Sequence, residues 1–165
     1  SVKVRKITIR KKNKKKLENS LALVYTNMKR NADKVLSHQY KPNKDQSKNL
    51  LSMKKDVYEF KKILSKEKIE INEIGKFLIK QWSLKKKINK ISTKKIDKMY
   101  DKLISLGAYG AKLLGAGQGG FLLLLSNKNV QKKIKNNFKL KNFIKIRFDN
   151  DGSKFVYRSE NFIKD

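Results

Sequence analysis

Cysteine is absent from this chain, and histidine occurs once, at His38. The first absence excludes a disulfide framework, thiolate-bound zinc, iron–sulfur clusters and thiol catalysis. The second excludes a site built from several histidine ligands; His38 itself reads as an exposed helix residue. Proline also occurs once, at Pro42, and there is neither a Pro/Gly/Ser-rich linker nor an internal repeat. A length of 165 residues then suits one domain, with or without a short appendage, and one large enough to bury a core. Long hydrophobic runs are missing too. The longest apolar stretch surrounds Leu122–Leu125, far too short to span a bilayer. Residues Ser1–Arg10 alternate instead of forming the apolar block of a signal peptide. These absences together predict a cytoplasmic protein that is not membrane-bound.

Acidic residues are scarce: 14 Asp and Glu face 43 Lys and Arg, a net charge of +29. Nucleic-acid binding is the obvious reading of such a charge. The kind of base argues against it. Lysine supplies 38 of the basic residues and arginine five, whereas base readout and bidentate phosphate contact favour arginine. The lysines are spread along the whole chain and not gathered in one arm. Lys, Asn and Ile make up 68 residues, while Gly, Ala, Arg and Pro make up 19. The first set has A/T-rich codons and the second G/C-rich ones, so genome composition accounts for the lysines as well as function does. The charge still predicts adhesion to polyanions at low salt. A basic nucleic-acid-binding module would gather basic and aromatic residues on one sheet face. Here Leu122–Leu125 occupies the sheet, and aromatics fall on helix core stripes.

Along the chain, Val2–Ile9 alternates with one slip and reads as a strand with a bulge, followed by a solvated basic connector, Lys11–Lys16. Leu21–Thr26 is a buried strand and 27–31 a polar loop; Asp33–Gln39 starts a short helix that Lys41-Pro42-Asn43 ends. Three amphipathic helices follow. Their stripes are Leu50, Met53, Val57, Phe60 and Leu64; then Ile71, Ile74, Phe77, Leu78, Trp82, Lys85 and Ile88; then Ile96, Met99, Tyr100, Leu103 and Ile104. Ser92 or Thr93 caps the third and Gly107 ends it. The last third predicts strands at 111–114, 121–126 and 143–148, and a helix over 127–138. A turn at 149–152 then leads to a partner strand over 154–157. Helices on one face of a mostly antiparallel sheet give an α+β fold.

Six of the eight glycines lie between Gly107 and Gly120. Glycine permits positive φ and lets backbone N–H groups approach an anion, so the segment suits a phosphate. Walker A fails because Phe121, not Lys-Ser/Thr, follows Gly120. The spacing of Gly115, Gly117 and Gly120 matches G-x-G-x-x-G, but a strand follows where a dinucleotide fold needs a helix. The strand–loop–strand shape is that of the protein-kinase glycine loop, yet neither His-Arg-Asp nor Asp-Phe-Gly follows.

The run Gly107-Ala-Tyr-Gly-Ala-Lys-Leu-Leu-Gly-Ala-Gly-Gln-Gly-Gly-Phe121 closely resembles the third, C-terminal motif of the GHMP kinase superfamily. Within it, the branch of D-glycero-D-manno-heptose 7-phosphate kinases is most similar. Leu21–Thr26 with Arg30 and Ala32, the Gln81-Trp-Ser-Leu-Lys-Lys86 helix, and Ile96-Asp97 with Tyr100 all resemble segments of that branch. One departure is Asn27, where the branch usually has glycine. The resemblance runs from about residue 2 to 157 and implies a four-stranded, ferredoxin-like domain.

The resemblance implies transfer of the ATP γ-phosphoryl group to a sugar hydroxyl, with Mg²⁺. It also implies a partner: the superfamily carries its ATP phosphate loop, a Pro-x-x-x-Gly-Leu-Gly-Ser-Ser type motif, in an N-terminal kinase domain, and nothing here matches that motif. On this reading, residues 1–16 are a strand and basic connector from the end of that missing domain. Residues 17–165 are the C-terminal domain, with the main ATP and Mg²⁺ sites elsewhere, no catalytic residue in this fragment and no activity alone. The phosphate or substrate loop is then Gly115, Ala116, Gly117, Gln118, Gly119 and Gly120, with the amides of Gly117, Gln118, Gly119 and Gly120 as donors. Thr26, Arg30, Trp82, Lys85, Lys86 and Lys112 are the candidate contacts to a sugar phosphate; no metal ligands are assigned. A mevalonate-, phosphomevalonate- or galactose-type kinase is the alternative within the superfamily; a lipid-like substrate would want an apolar cleft instead of Arg30-type cations.

Overall fold

The computed structural model describes residues 7–29, 44–88, 91–138, 143–149 and 152–153. In chain order these form α1 (Lys11–Ser20), β1 (Leu21–Tyr25), α2 (Lys44–Ser65), α3 (Ile71–Ile88), α4 (Lys94–Ser105), β2 (Gly110–Leu113), β3 (Phe121–Leu125), α5 (Lys128–Asn137) and β4 (Phe143–Lys145). The strands make one antiparallel sheet in the order β2-β3-β1-β4. This is the α+β architecture read from the sequence.

The register explains the burial. Leu113, Leu122, Val24 and Phe143 lie side by side across the sheet, as do Ala111, Leu124 and Ala22. These rows share one face and form the main core with Trp82 of α3, Ile96, Tyr100 and Leu103 of α4, and Ile134 of α5. Burying each large side chain in such a cluster contributes about 1.5–3 kcal/mol. A second cluster joins Leu21 and Leu125, on the opposite face, to Leu17 of α1, Leu64 of α2, Ile69 just ahead of α3, and Ile71, Ile74 and Leu78 of α3. Strand alternation thus feeds two cores from one sheet. Lys112, Leu123, Leu23 and Ile144 form the row on that opposite face.

Helix ends follow local chemistry. The Thr93 hydroxyl accepts from the Ile96 amide at 3.3 Å and caps α4. The Asn127 side chain accepts from Val130 at 2.9 Å and caps α5. At the other end of α4, Gly107 takes φ +101° and its amide returns to Ile104. Between α2 and α3 the contact is partly polar: buried Asp56 accepts from Lys80 at 2.6 Å and from Gln81 at 2.5 Å.

Several expectations are corrected. Lys11–Lys16 is not a connector but the first part of α1. Asn13, Leu17 and Ser20 fall on one buried face, and the Asn13 amide donates to Lys66 and Glu67 carbonyls at 2.9 and 3.2 Å. The charged positions of that run point outward, which basic composition disguised. Ile7–Ile9 forms no strand. In α2, Leu50 and Val57 are exposed. The buried arc instead runs through Asp56 and Leu64, with Met53 and Phe60 half-buried, because a polar residue occupies an inward position. Strand β2 begins one residue earlier than expected, and β4 ends at Lys145. Val2–Lys6, the 33–39 helix with His38, and the 154–157 strand lie outside the described residues, as does Arg30.

Candidate functional site

The glycine loop joins β2 to β3, so its ends are fixed by the ladder: the Leu114 amide donates to the Phe121 carbonyl at 2.9 Å. Two neighbouring segments then hold the loop itself. From one side comes the end of β1. The amide and the hydroxyl of Thr26 both donate to the carbonyl of Gly120, each at 2.9 Å, and the Gly120 amide donates to Met28 at 3.1 Å. From the other side comes Ile91, two residues before α4's cap, whose carbonyl accepts from the Gln118 amide at 2.8 Å. Lys85 of α3 adds a third tie, its Nζ donating to Gly115 at 2.7 Å.

Two loop positions require glycine for stated reasons. Gly117 has φ +120°, and a Cβ there would stand 2.8 Å from that of Ile91. At Gly119 a Cβ would stand 2.5 Å from the carbonyl oxygen of Met28. Both are closer than real atoms approach. Gln118 between them takes φ +58° without being glycine, and Asn27 across the gap takes φ +57°. Left-handed non-glycine residues cost about 1 kcal/mol or more and persist where the surroundings over-determine them. Here two of them sit in facing loops.

This geometry revises the list of backbone donors. The amides of Gln118 and Gly120 are spent on Ile91 and Met28, so they are braces. The amides of Gly117 and Gly119 have no acceptor among the described residues, although both residues are buried. A buried backbone donor without a partner is costly, and an anion lying over the loop would satisfy it.

The other candidates separate. Thr26 is buried and its hydroxyl is turned to Gly120, so it serves the loop's shape. Trp82 is a core residue, 1% exposed, whose Nε1 has no partner among the described residues. Lys86 lies 5.8 Å from the Trp82 ring centroid and 5.9 Å from that of Tyr100, and it pairs with Asp97 at 3.4 Å. Asp97 in turn accepts from Ser92 at 2.8 Å at the start of α4, the capping place its position suggests. Lys112 is half-buried on the sheet face away from the main core, and burial lowers its pKa from the usual value. Thus Thr26, Lys85 and the loop come together, while Trp82 and Lys86 form a separate stack. Sequence reasoning missed Met28 and Ile91, since each acts through its backbone carbonyl and no side-chain pattern marks that role.

A strand–glycine loop–strand unit held in this way, on an antiparallel sheet backed by helices, can be set against known proteins. The sequence profile described as "GHMP kinases C terminal" matches residues 60–145, more than half of the chain. The chain belongs to the GHMP kinase family, through its C-terminal domain. It is 42% identical to the mevalonate kinase of Methanocaldococcus jannaschii over 62 residues, 38% of this chain and 19% of that one. It is 33% identical to the D-glycero-alpha-D-manno-heptose 7-phosphate kinase of Campylobacter jejuni over 110 residues, 64% of this chain and 32% of that one. Among solved structures, a mevalonate kinase superposes with TM-score 0.63 at 25% identity, covering 80% of this chain and 40% of that one. The Methanococcus jannaschii mevalonate kinase gives 0.61 at 26% identity, covering 79% and 41%. The chain therefore spans from a fifth to two fifths of the length of these GHMP kinases.

Proposed function

We propose that this GHMP domain is the C-terminal part of an ATP-dependent kinase that transfers the γ-phosphoryl group to a hydroxyl of a sugar phosphate of the heptose class. The observation that carries the reading is the pair of buried amides, Gly117 and Gly119, left without acceptors among the described residues in a loop braced at Gln118 and Gly120. In phosphoryl transfer the protein mainly positions reactants and offsets charge. A rigid loop with the amides of Gly117 and Gly119 to offer does the first and contributes to the second. Gly119 would donate to a phosphate oxygen, and the braces from Thr26, Met28 and Ile91 would hold the donor still.

The residues present fit the anion. Among the described residues, no three His, Asp or Glu side chains come together as ligands, so no step is assigned here to Mg²⁺. ATP and Mg²⁺ would be held mainly by an N-terminal kinase domain, and the residues ahead of α1 would lead from it. The sugar-phosphate reading over a mevalonate-type one rests on sequence: Arg30 after Thr26 and the Gln81-Trp-Ser-Leu-Lys-Lys86 run. Lys112 is the described cation that an anionic substrate would favour, since a phosphate would offset the burial cost of its charge.

The test is ADP release from ATP by the protein encoded by the whole gene, offered heptose 7-phosphate or mevalonate. Faster turnover of the sugar phosphate supports the reading. A preference for mevalonate would replace the substrate while leaving the kinase class intact, and no turnover of either would remove the activity.

A further inference from the structure

Helix α2 carries a two-heptad pattern that its buried side does not need. Residues 50–56 read Leu-Leu-Ser-Met-Lys-Lys-Asp, and 57–63 read Val-Tyr-Glu-Phe-Lys-Lys-Ile. The inward positions of the two heptads, Met53 with Asp56 and Phe60 with Ile63, face the rest of the domain. The outward positions repeat just as strictly. Leu50 and Leu51 are 49% and 58% exposed, and Val57 and Tyr58 are each 64% exposed. Behind each apolar pair comes a lysine pair, Lys54-Lys55 and then Lys61-Lys62, all exposed. Seven residues of helix advance about 10 Å. The outer face is therefore banded: apolar, basic, apolar, basic, over about 20 Å.

We propose that this face of α2 docks an acidic amphipathic helix of a partner protein. The seven-residue period is the one on which two helices keep facing each other. Single exposed apolar residues need no explanation, but four in register on one face do. The charges identify the partner. Lys62 is paired with Glu59 at 3.2 Å, while no described acid pairs with Lys54, Lys55 or Lys61. A partner's carboxylates would reach them without breaking a pair among the described residues.

The banding also chooses among occupants. Lys54 projects between the directions of Leu50 and Leu51, in the middle of the apolar arc, as the 100° step of a helix requires. A bilayer, which is uniformly apolar below its surface, would have to take Lys54 in together with the leucines. A protein helix can set a carboxylate opposite it. A second copy of the chain would bring the same lysines together, on a molecule already carrying +29. An acidic helix with apolar residues one heptad apart satisfies both bands.

The experiment uses the 165-residue chain and a fluorescein-labelled helical peptide of about three heptads, with leucines on one face and glutamates flanking them. Anisotropy is read at physiological salt, so that bulk charge is screened. The expected result is saturable binding, weakened at least about tenfold when the peptide's sequence is scrambled at constant composition. Two double variants, Leu51→Ser with Tyr58→Ser and Lys54→Glu with Lys61→Glu, should each lose about tenfold or more. All four positions are exposed, and circular dichroism should show an unchanged helix signal. A lysine-for-glutamate peptide should bind the charge-reversed variant better than it binds the original chain. Equal binding of the scrambled peptide, or full binding by either double variant, overturns the proposal. So do binding to phosphatidylglycerol vesicles without binding to the peptide, and self-association that Leu51→Ser abolishes.

Discussion

The amide and the hydroxyl of Thr26 converge on one acceptor, the carbonyl oxygen of Gly120, each at 2.9 Å. The end of β1 and the end of the glycine loop are therefore a single unit. Replacing Thr26 by valine keeps the shape and removes the hydroxyl. We expect Thr26→Val to cost about 1–2 kcal/mol, because the hydroxyl bond goes while the amide bond stays. Thr26→Ser should recover most of that. Urea denaturation of the three proteins checks the ordering, and an unchanged midpoint for Thr26→Val would show that the hydroxyl is not a brace.

Gly119→Ala should act differently. Its Cβ would meet the Met28 carbonyl at 2.5 Å, so the loop must shift at a position that holds an unpaired amide. The expected outcome is a modest loss of stability with a large loss of phosphoryl transfer in the whole enzyme, at least about tenfold in kcat/KM. Side-by-side denaturation and ADP release measure the two effects. Parallel losses of similar size would assign Gly119 to packing alone.

Asp56 tests the α2–α3 contact. Its carboxylate is buried and accepts from both Lys80 and Gln81. Asp56→Ala leaves the buried Gln81 amide without its partner, and should destabilise by about 1–3 kcal/mol. Lys80 remains largely exposed, so it returns to water at little cost. Asp56→Asn should retain part of the contact. Thermal unfolding of the series gives the order.

How much of this was legible follows from these same residues. The strands at Leu21 and Phe121, the cap at Thr93, and the glycine loop are set by local sequence, and periodicity or turn chemistry reveals them. The first helix was hidden because a run of lysines looks the same whether it is a solvated connector or the outer face of a helix. What decided it was a bond from Asn13 to carbonyls more than 50 residues away. Apolar spacing in α2 pointed to Leu50 and Val57, and buried Asp56 turned the helix away from them. In the loop, the sequence marked the glycines but not which amides remain available, since the Ile91 and Met28 carbonyls belong to residues without a polar side chain.

Lys112 gives a pH dependence whose sign is fixed by burial, which holds its pKa below the usual 10.5. Between the lowered native value and 10.5 the unfolded chain binds more protons than the native one. Stability from this group therefore rises as pH increases through that alkaline window. Lys112→Met should be more stable than the original chain at neutral pH, and the difference should shrink toward pH 10.5. Tyr100, whose pKa burial and then Asp101 raise, titrates nearby with the opposite sign but is present in both proteins. Its contribution cancels in the comparison. Denaturation midpoints at the two pH values check it; a constant difference would contradict the assignment.

The central claim is that the Gly115–Gly120 loop belongs to one part of a two-part sugar-phosphate kinase. The most direct measurement is ADP release from ATP and heptose 7-phosphate, made once with the 165-residue chain and once with the protein encoded by the whole gene. The account predicts turnover by the whole protein, none by the chain alone, and loss of that turnover in Gly119→Ala. Robust turnover by the chain alone would contradict it.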